Sequence, residues 1–218
     1  GSIHSSDMSV RDILKETGWV VERDGSLGSD GFELVSPIYP LDIPTIIKRC
    51  LPLEKLIDGE ISDRCGGHIH VSDTMRTPYD ILMDIKGYLP LLYTMYPDRA
   101  KNLYCEAKEF ASYIEVGHRQ AINVNRKTLE FRIFPAVKNM RQLIFRLKLL
   151  EYILTHKEKD VVKVGELLLD RESRLYSILK KRIPENKIRA KAKVFIDYAN
   201  YLDRDALVIE GDKIKRVI

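Results

Sequence analysis

The chain has 218 residues, of which 44% are hydrophobic and 31% are charged, and its formal net charge is +4. This length and apolar content can bury a sizeable core, so we expect one globular domain over residues 1–218. No apolar run of about 18 residues could span a membrane, and the first residues carry no apolar signal-peptide stretch. The mild, interspersed charge argues against nucleic acid as the main partner.

Cysteine usage indicates a reducing compartment. Cys50, Cys65 and Cys105 are odd in number and have no pairwise spacing. We therefore expect neither a disulfide framework nor a zinc site of the Cys-x-x-Cys type, and the cytoplasm is the expected location.

In the first third of the chain, the sequence predicts a helix, two strands and a second helix. Residues 9–17 have helical spacing and are followed by a glycine, which often ends a helix. Strands are expected at residues 19–22 and 32–38, on either side of a turn rich in glycine and serine. Residues 44–58 are again helical, with a break at Pro52 because proline removes an intrahelical hydrogen bond.

The middle of the chain predicts three strands and two helices. A strand at residues 65–72 precedes helical segments at residues 77–96 and 99–110. Two further strands, at residues 119–125 and 128–135, are separated by a short basic turn. This arrangement predicts an antiparallel hairpin.

The last third is mainly helical. Apolar residues at helical spacing mark long helices over residues 140–154 and 188–202. Between them lie a segment at residues 161–170 and a short helix at residues 173–181. Residues 206–217 predict a terminal hairpin that turns at a Gly-Asp pair.

Chemically active side chains share faces of the predicted strands, because residues two apart in a strand point the same way. In the segment GGHIHV, His68 and His70 share one face. In the segment LEFRIFP, Glu130 and Arg132 share a face opposite a fully apolar one. Polar groups inside apolar alternation favour a ligand site over a purely structural role.

Two more segments follow the same rule. In HRQAINVN, Arg119 and Asn123 share one face, with apolar residues behind them. In GFELVSP, Glu33 lies on one face and Ser36 on the other, and Asp24 precedes them in a DGS turn. The sequence therefore offers four separate polar segments for one site.

The order of these segments carries a resemblance. DGS is followed by GFELVSP, GGHIHV, RQAIN and LEFRIFP, and this succession resembles the amidoligase family. That family is a branch of the carboxylate–amine ligases that share a fold with glutamate–cysteine ligase and glutamine synthetase. The likeness covers roughly residues 19–154, and residues 155–218 form a helical and hairpin extension. It implies an α+β fold whose curved antiparallel sheet holds ATP and metal on its concave face, with helices packed on its convex side.

The resemblance also implies roles for nine residues. They are the metal ligands Glu33, His68 and Glu130, the nucleotide contacts His70 and Arg132, the catalytic residues Arg132, Asp24 and Arg119, and the substrate-binding residues Arg119, Asn123 and Ser36.

The chemistry of the family explains why these residue types occur together. Amide formation in water is uphill, so these enzymes transfer the γ-phosphoryl group of ATP to a carboxylate, and an amine attacks the acyl phosphate. Carboxylate oxygens are preferred ligands of Mg²⁺, and Mn²⁺ is the alternative metal. The guanidinium of arginine can donate two hydrogen bonds to one phosphate group. Asp24 is the candidate acceptor for the proton of the attacking amine. The expected substrates are a small-molecule or peptide carboxylate and an amine, and a homo-oligomer is compatible with this family.

The chain departs from the family pattern at one point. Relatives begin with a strand that carries two glutamates at i and i+2, whereas this chain has Glu22 as a lone substitute. The terminal segment LVIEGD offers Glu210 and Asp212 at the required spacing. Two interpretations of this terminal segment stay open. It could replace the missing acidic strand, or its acidic residues could lie in an exposed turn.

Structural alternatives to the assigned roles also stay open. Glu130 and Arg132 could form only a cross-strand ion pair, His68 could be a core or edge residue, and Asp24 could be a turn residue. At the level of function, the ATP-dependent ligase competes with a metal-dependent hydrolase built on the same histidines and glutamates. The third alternative is a degenerate ligase fold that acts as a binding or assembly module.

Overall fold

A computed structural model describes residues 8–24, 31–56, 65–103, 105–108, 119–203 and 206–217. Within these ranges the protein is α+β, with nine α-helices and seven strands in small antiparallel sheets. No helix in this part of the chain is long and apolar enough to cross a membrane. The expected turn at residues 25–30 and the expected helical residues 57, 58, 104, 109 and 110 lie outside the described residues.

Helices and strands alternate irregularly along the chain. The helices are α1 Met8–Thr17, α2 Ile43–Cys50, α3 Pro78–Ile85, α4 Leu89–Met95, α5 Pro97–Ala100, α6 Met140–His156, α7 Val161–Leu169, α8 Arg174–Leu179 and α9 Glu185–Asp203. The strands are β1 Val20–Arg23, β2 Phe32–Val35, β3 Ile69–Val71, β4 Ile122–Val124, β5 Leu129–Phe131, β6 Leu207–Glu210 and β7 Lys213–Arg216. Two 3₁₀ turns, Leu51–Leu56 and Lys86–Tyr88, continue α2 and α3.

The chain divides into two compact units. Unit 1 contains the described residues of Gly1–Cys65 together with Ala136–Glu151, and unit 2 contains those of Gly66–Pro135 together with Tyr152–Ile218. The division passes through α6, so the first part of this helix belongs to unit 1 and its last part to unit 2.

Unit 1 is built on the antiparallel β1–β2 hairpin and three helical segments. Its core consists of apolar residues from α2, the following 3₁₀ turn and the start of α6, namely Ile43, Ile46, Cys50, Leu53 and Met140. Asp42 is the N-cap of helix α2, and its carboxylate accepts a hydrogen bond from the backbone N–H of Thr45. Pro44 occupies the first turn, where no hydrogen bond is lost. The expected break at Pro52 is confirmed, because α2 ends at Cys50.

Unit 2 carries a three-stranded antiparallel sheet in the order β3-β5-β4. One face of the central strand β5 is apolar, since Leu129 and Phe131 are fully buried, and helix α3 packs against the sheet. Helix α4 packs on the long helix α9, and α9 packs in turn on α7. The expected hairpin of strands β4 and β5 and its apolar face are both confirmed.

Several expected elements differ in extent. The strand expected at residues 65–72 is regular only at Ile69–Val71, while Gly66 forms an isolated bridge to Pro135. The helix expected at residues 77–96 is interrupted at Lys86–Tyr88, where Gly87 lies against the backbone of the loop before α7. A Cβ atom on Gly87 would lie 2.9 Å from the carbonyl oxygen of Glu158.

Residues 99–110 were predicted to be helical. The prediction is correct for residues 99 and 100 and wrong for residues 101–103 and 105–108. Helix α5 ends at Ala100, and Glu106 forms a parallel bridge with Gln120. The backbone N–H of Glu106 donates to the carbonyl of Arg119, so this segment satisfies its polar backbone through the loop before β4.

The C-terminal hairpin β6–β7 is confirmed and packs on α7 and α9. Gly165 of α7 makes this packing close, because a Cβ atom there would overlap the Cδ1 atom of Ile214 and lie 3.0 Å from Cε1 of Phe195. Ile214 and Phe195 are buried. The absence of a side chain at Gly165 therefore lets the hairpin cover the helix pair.

We predict that Gly165→Ala lowers the free energy of unfolding by about 1–3 kcal/mol, because overpacking forces side chains and backbone to shift. Urea denaturation measures this change. Glu166→Ala, at the exposed neighbouring position of the same helix, is the control and should change stability little. Alanine is the better helix former, so a more stable Gly165→Ala variant would contradict the close packing.

Candidate functional site

A row of three polar residues crosses the sheet of unit 2. Glu130 of the central strand β5 lies directly opposite His70 of β3 on one side and Asn123 of β4 on the other. Cross-strand partners at this spacing bring their side chains into contact. The strand register therefore brings together residues from three of the polar segments that the sequence singled out.

Glu130 is the centre of the cluster, and only 6% of its surface is exposed. Its Oε2 atom accepts hydrogen bonds from Nδ2 of Asn123 at 3.0 Å and Nδ2 of Asn125 at 3.2 Å. Its Oε1 atom accepts a hydrogen bond from Nη1 of Arg132 at 3.0 Å. Such bonds are what make a buried carboxylate tolerable in a folded protein.

These contacts decide the charge of Glu130. Burial raises the pKa of this carboxyl, but the hydrogen bonds from Asn123 and Asn125 and the charge of Arg132 outweigh burial and hold the pKa below its ordinary value. Glu130 is therefore an anion at neutral pH, although it is buried.

Two imidazoles face the same carboxylate oxygen. Nδ1 of His68 lies 3.4 Å from Oε1 of Glu130, and Nε2 of His70 lies 3.7 Å from it. Burial, followed by the charge of Arg132, lowers the pKa of His68 to about 4, and the opposing effect of Glu130 does not restore it. His68 is therefore neutral at pH 7, which is the form that can ligate a metal ion.

Gly66 makes room for the His68 ring. A Cβ atom on Gly66 would lie 2.6 Å from Nε2 and 2.9 Å from Cδ2 of that ring, closer than van der Waals contact allows. A side chain at Gly66, the first glycine of GGHIHV, would therefore overlap the His68 ring. The sequence pattern did not predict this steric requirement.

Three residues of the cluster were missed or left without a role by the sequence pattern. Arg99, at 7% exposure, donates from Nη2 to the carbonyl of Arg132 and contributes to the lowered pKa of His68. No signal could have placed it at the cluster, because it lay in a segment expected to be helical. Asn125 directly follows β4 and Thr128 directly precedes β5. Strand alternation could therefore have predicted that both lie on the polar face.

The other predicted residues lie at several places. Asn123 is buried in the cluster, whereas Arg119 precedes β4 and is exposed. Glu33, Asp24 and Ser36 belong to unit 1. Glu33 is exposed on β2 opposite Glu22, and Ser36 lies just beyond the end of that strand. The joining of these three residues to the cluster of unit 2 stays a prediction.

The terminal hairpin supports the turn interpretation of its acidic residues. Glu210 bonds to Nζ of Lys215 at 2.6 Å, and Asp212 bonds to Nη1 of Arg189 at 2.9 Å. Both carboxylates are largely exposed, with 62% and 84% of their side-chain surface open. These surface ion pairs give the two residues a role outside the cluster.

The donor set of the cluster limits how it could hold a divalent cation. Among the described residues, no group of three or more histidines, cysteines, aspartates or glutamates is arranged to hold a metal ion. Both oxygens of Glu130 accept hydrogen bonds. Oε1 accepts one, from Arg132, so its second lone pair can still bind a cation. Mg²⁺ is commonly held by one or two carboxylates together with waters and substrate phosphates. The cluster therefore fits a phosphate-bound cation better than a metal held by protein ligands only.

Comparisons with known proteins leave the family undecided. No family model matches the chain. No curated protein and no solved structure matches it either. Membership of the amidoligase family therefore stays a prediction that rests on the order of the motifs.

We predict that Gly66→Ala displaces the His68 ring and lowers the free energy of unfolding by about 1–3 kcal/mol, because the new methyl group overlaps the imidazole. Urea denaturation measures the loss, and the NMR signals of His68 report the displacement. The matched control is the same substitution in a His68→Ala background, where the overlap is removed and the cost should be smaller. Equal costs in both backgrounds would contradict the steric role.

We also predict that stability falls as pH decreases from about 6.5 to about 4. Between these pH values His68 binds a proton in the unfolded protein but not in the folded protein, because folding lowers the pKa of His68 to about 4. The loss amounts to at most about 3 kcal/mol and levels off at lower pH for this residue.

The test is urea denaturation across this pH range. His68→Gln should show a shallower slope between these pH values than the unchanged protein. Glu130 adds a further loss as pH falls below its ordinary range, because its pKa is lowered. A slope that survives in His68→Gln would show that His68 is not its source.

Proposed function

We propose that the chain is an ATP- and Mg²⁺-dependent carboxylate–amine ligase that forms an amide through an acyl phosphate. The observation that carries this proposal is the convergence of Arg132, His68 and His70 on one oxygen of the buried, ionised Glu130. The Glu-x-Arg and His-x-His motifs that resemble the amidoligases are therefore parts of one cluster rather than separate features.

Arg132 supplies the strongest argument for a phosphate ligand. Its Nη1 atom is engaged by Glu130, and its buried Nε–H has no hydrogen-bond partner among the described residues. A buried donor without a partner costs free energy and is a common sign of a missing ligand or water. A phosphate oxygen is a suitable acceptor, because the planar guanidinium binds phosphate with two N–H groups.

The proposed roles follow from these contacts. Glu130 and the neutral His68 hold Mg²⁺, whose chemistry is to neutralise the charge of the phosphates. Arg132 binds the phosphoryl group, and the half-exposed His70 contacts the nucleotide at the rim of the sheet. Asn123 keeps Glu130 ionised and has a buried Oδ1 atom without a hydrogen-bond partner in the described part of the chain, which suits a substrate N–H or ammonium group.

Residues of unit 1 and the exposed Arg119 keep the roles that the resemblance implies for them. Glu33 is proposed as a further metal ligand, Asp24 as the acceptor of the amine proton, and Ser36 with Arg119 as substrate contacts. The substrates are a carboxylate and an amine, and Mn²⁺ is the alternative metal.

The test is ADP release with Mg²⁺ and ATP against panels of amino acids, short peptides and polyamines. Glu130→Gln should reduce the rate by about 10²-fold or more, because the amide cannot supply the negative charge that holds the cation. Glu166→Gln, at an exposed position of α7, is the matched control and should keep the rate.

The other outcomes select the competing functions. Magnesium-dependent ATP binding by calorimetry, without ADP release for any substrate pair, would select a binding or assembly module. Tight zinc binding without nucleotide affinity would select a metal-dependent hydrolase. Full activity of Glu130→Gln would remove the metal-binding role of this residue.

A further inference from the structure

Positive charge is concentrated in one segment of unit 2. Residues 180–193, which join α8 to α9 and form the first half of α9, contain seven basic residues and one acidic residue. We call them the basic segment. Its net charge of +6 exceeds the +4 of the whole chain, so the remainder of the protein is slightly acidic. The mild overall charge therefore conceals one strongly basic surface.

Four lysines of the basic segment have no carboxylate partner. Lys180, Lys181, Lys187 and Lys193 are exposed, and none of them forms an ion pair with another of the described residues. The one acidic residue of the segment, Glu185, lies 3.7 Å from the guanidinium of an arginine outside it, at position 171. Carboxylates of the described chain therefore neutralise little of this charge.

Helix geometry places the charge on both flanks of α9. Residues four apart lie one above the other on a helix, so Lys187 and Lys191 form one row. Arg189 and Lys193 form a second row for the same reason. The first row lies beside α4, since Nζ of Lys191 donates to a backbone carbonyl of that helix at 2.9 Å. The second lies beside the β6–β7 turn, to which Arg189 donates two hydrogen bonds.

The chemistry of the basic segment selects among polyanionic partners. None of the exposed large hydrophobic residues in the described part of the chain lies in residues 180–193. Helices that bind membrane surfaces insert Trp, Phe or Leu, and proteins that bind single-stranded nucleic acid stack its bases on aromatic side chains. The phosphate backbone of a duplex requires only positive charge, because counterion release supplies the affinity. The segment therefore fits a duplex better than a membrane or a single strand.

We propose that the basic segment binds the phosphate backbone of duplex nucleic acid without reading its sequence. The exposed lysines act as flexible point charges on the phosphates, and contacts of this kind carry no sequence information. Binding at this surface is independent of the proposed ligase activity, because no residue of the segment belongs to the Glu130 cluster.

The test is fluorescence anisotropy of the full chain with a short labelled DNA duplex and with an RNA duplex of the same sequence. The affinity for DNA should fall linearly on logarithmic axes as salt increases, with a slope of about 0.9 for each phosphate contact. A duplex of unrelated sequence should bind equally well. Binding of either duplex with these properties supports the proposal, and the two arms show which backbone is preferred.

A triple variant removes part of the charge from this surface. Lys180→Gln, Lys187→Gln and Lys193→Gln together should lower the affinity by about 10-fold or more. The slope of the salt dependence on DNA should decrease by up to about 2.7, because three phosphate contacts are lost. Glutamine is a good helix former, and circular dichroism verifies that the variant folds.

The matched control changes the net charge equally at another place. It replaces Lys15, Lys48 and Lys138, three exposed lysines of unit 1, by glutamine. This control should keep most of the affinity and most of the salt dependence. Equal losses in the two triple variants would show that net charge alone is responsible, and would overturn the proposal.

Three further results would also overturn the proposal. They are the absence of duplex binding at low salt, tighter binding of a single strand of the same sequence, and tighter binding of vesicles that contain phosphatidylserine. ADP release, if the unchanged protein shows it, should be the same in both triple variants. The ligase proposal and the duplex proposal can therefore fail separately.

Discussion

The cluster in unit 2 depends on keeping one carboxylate ionised inside a sheet. Burial opposes the charge of Glu130, and two amide groups and one guanidinium stabilise it. Removing such donors from a buried charge is far more costly than removing an exposed ion pair. Both imidazoles face this anion, with Nδ1 of His68 at 3.4 Å and Nε2 of His70 at 3.7 Å from its Oε1 atom.

The neutrality of His68 is a consequence of this arrangement that a simple ion-pair view would miss. A histidine beside a glutamate would ordinarily gain a proton, yet burial and the charges of Arg132 and Arg99 lower the pKa of His68. The cluster therefore combines a fixed anion, fixed cations and a neutral nitrogen base. Titratable groups with shifted pKa values cluster at functional sites, and this is the physical basis of our functional proposal.

Strand alternation predicted the cluster more accurately than it predicted the fold. The shared faces of His68 with His70 and of Glu130 with Arg132 follow from a period of two. The strand register, which the sequence did not predict, then places His70, Glu130 and Asn123 side by side. Helix boundaries around Gly18 and Pro52 were also readable, because glycine and proline act locally. The terminal hairpin was readable from its Gly-Asp turn for the same reason.

What the sequence could not predict depends on contacts between distant segments. Arg99 reaches the carbonyl of Arg132, which is 33 residues away, and no periodic pattern encodes that contact. The interruption between α3 and α4 arises where Gly87 meets the backbone near Glu158, which is also a tertiary effect. The curved sheet of glutamine synthetase type stays a prediction, since the described strands form three small sheets.

Much of the cluster comes from one short hairpin, which has a consequence for how it tolerates change. Asn123, Asn125, Thr128, Glu130 and Arg132 lie within β4, β5 and the residues that join or adjoin them. Slippage of one strand by a single residue would exchange the two faces of that strand, carrying polar groups into the apolar core and apolar groups into the cluster. Insertions or deletions in this turn therefore should abolish the cluster as a unit, whereas substitutions at its edge can weaken it by degrees.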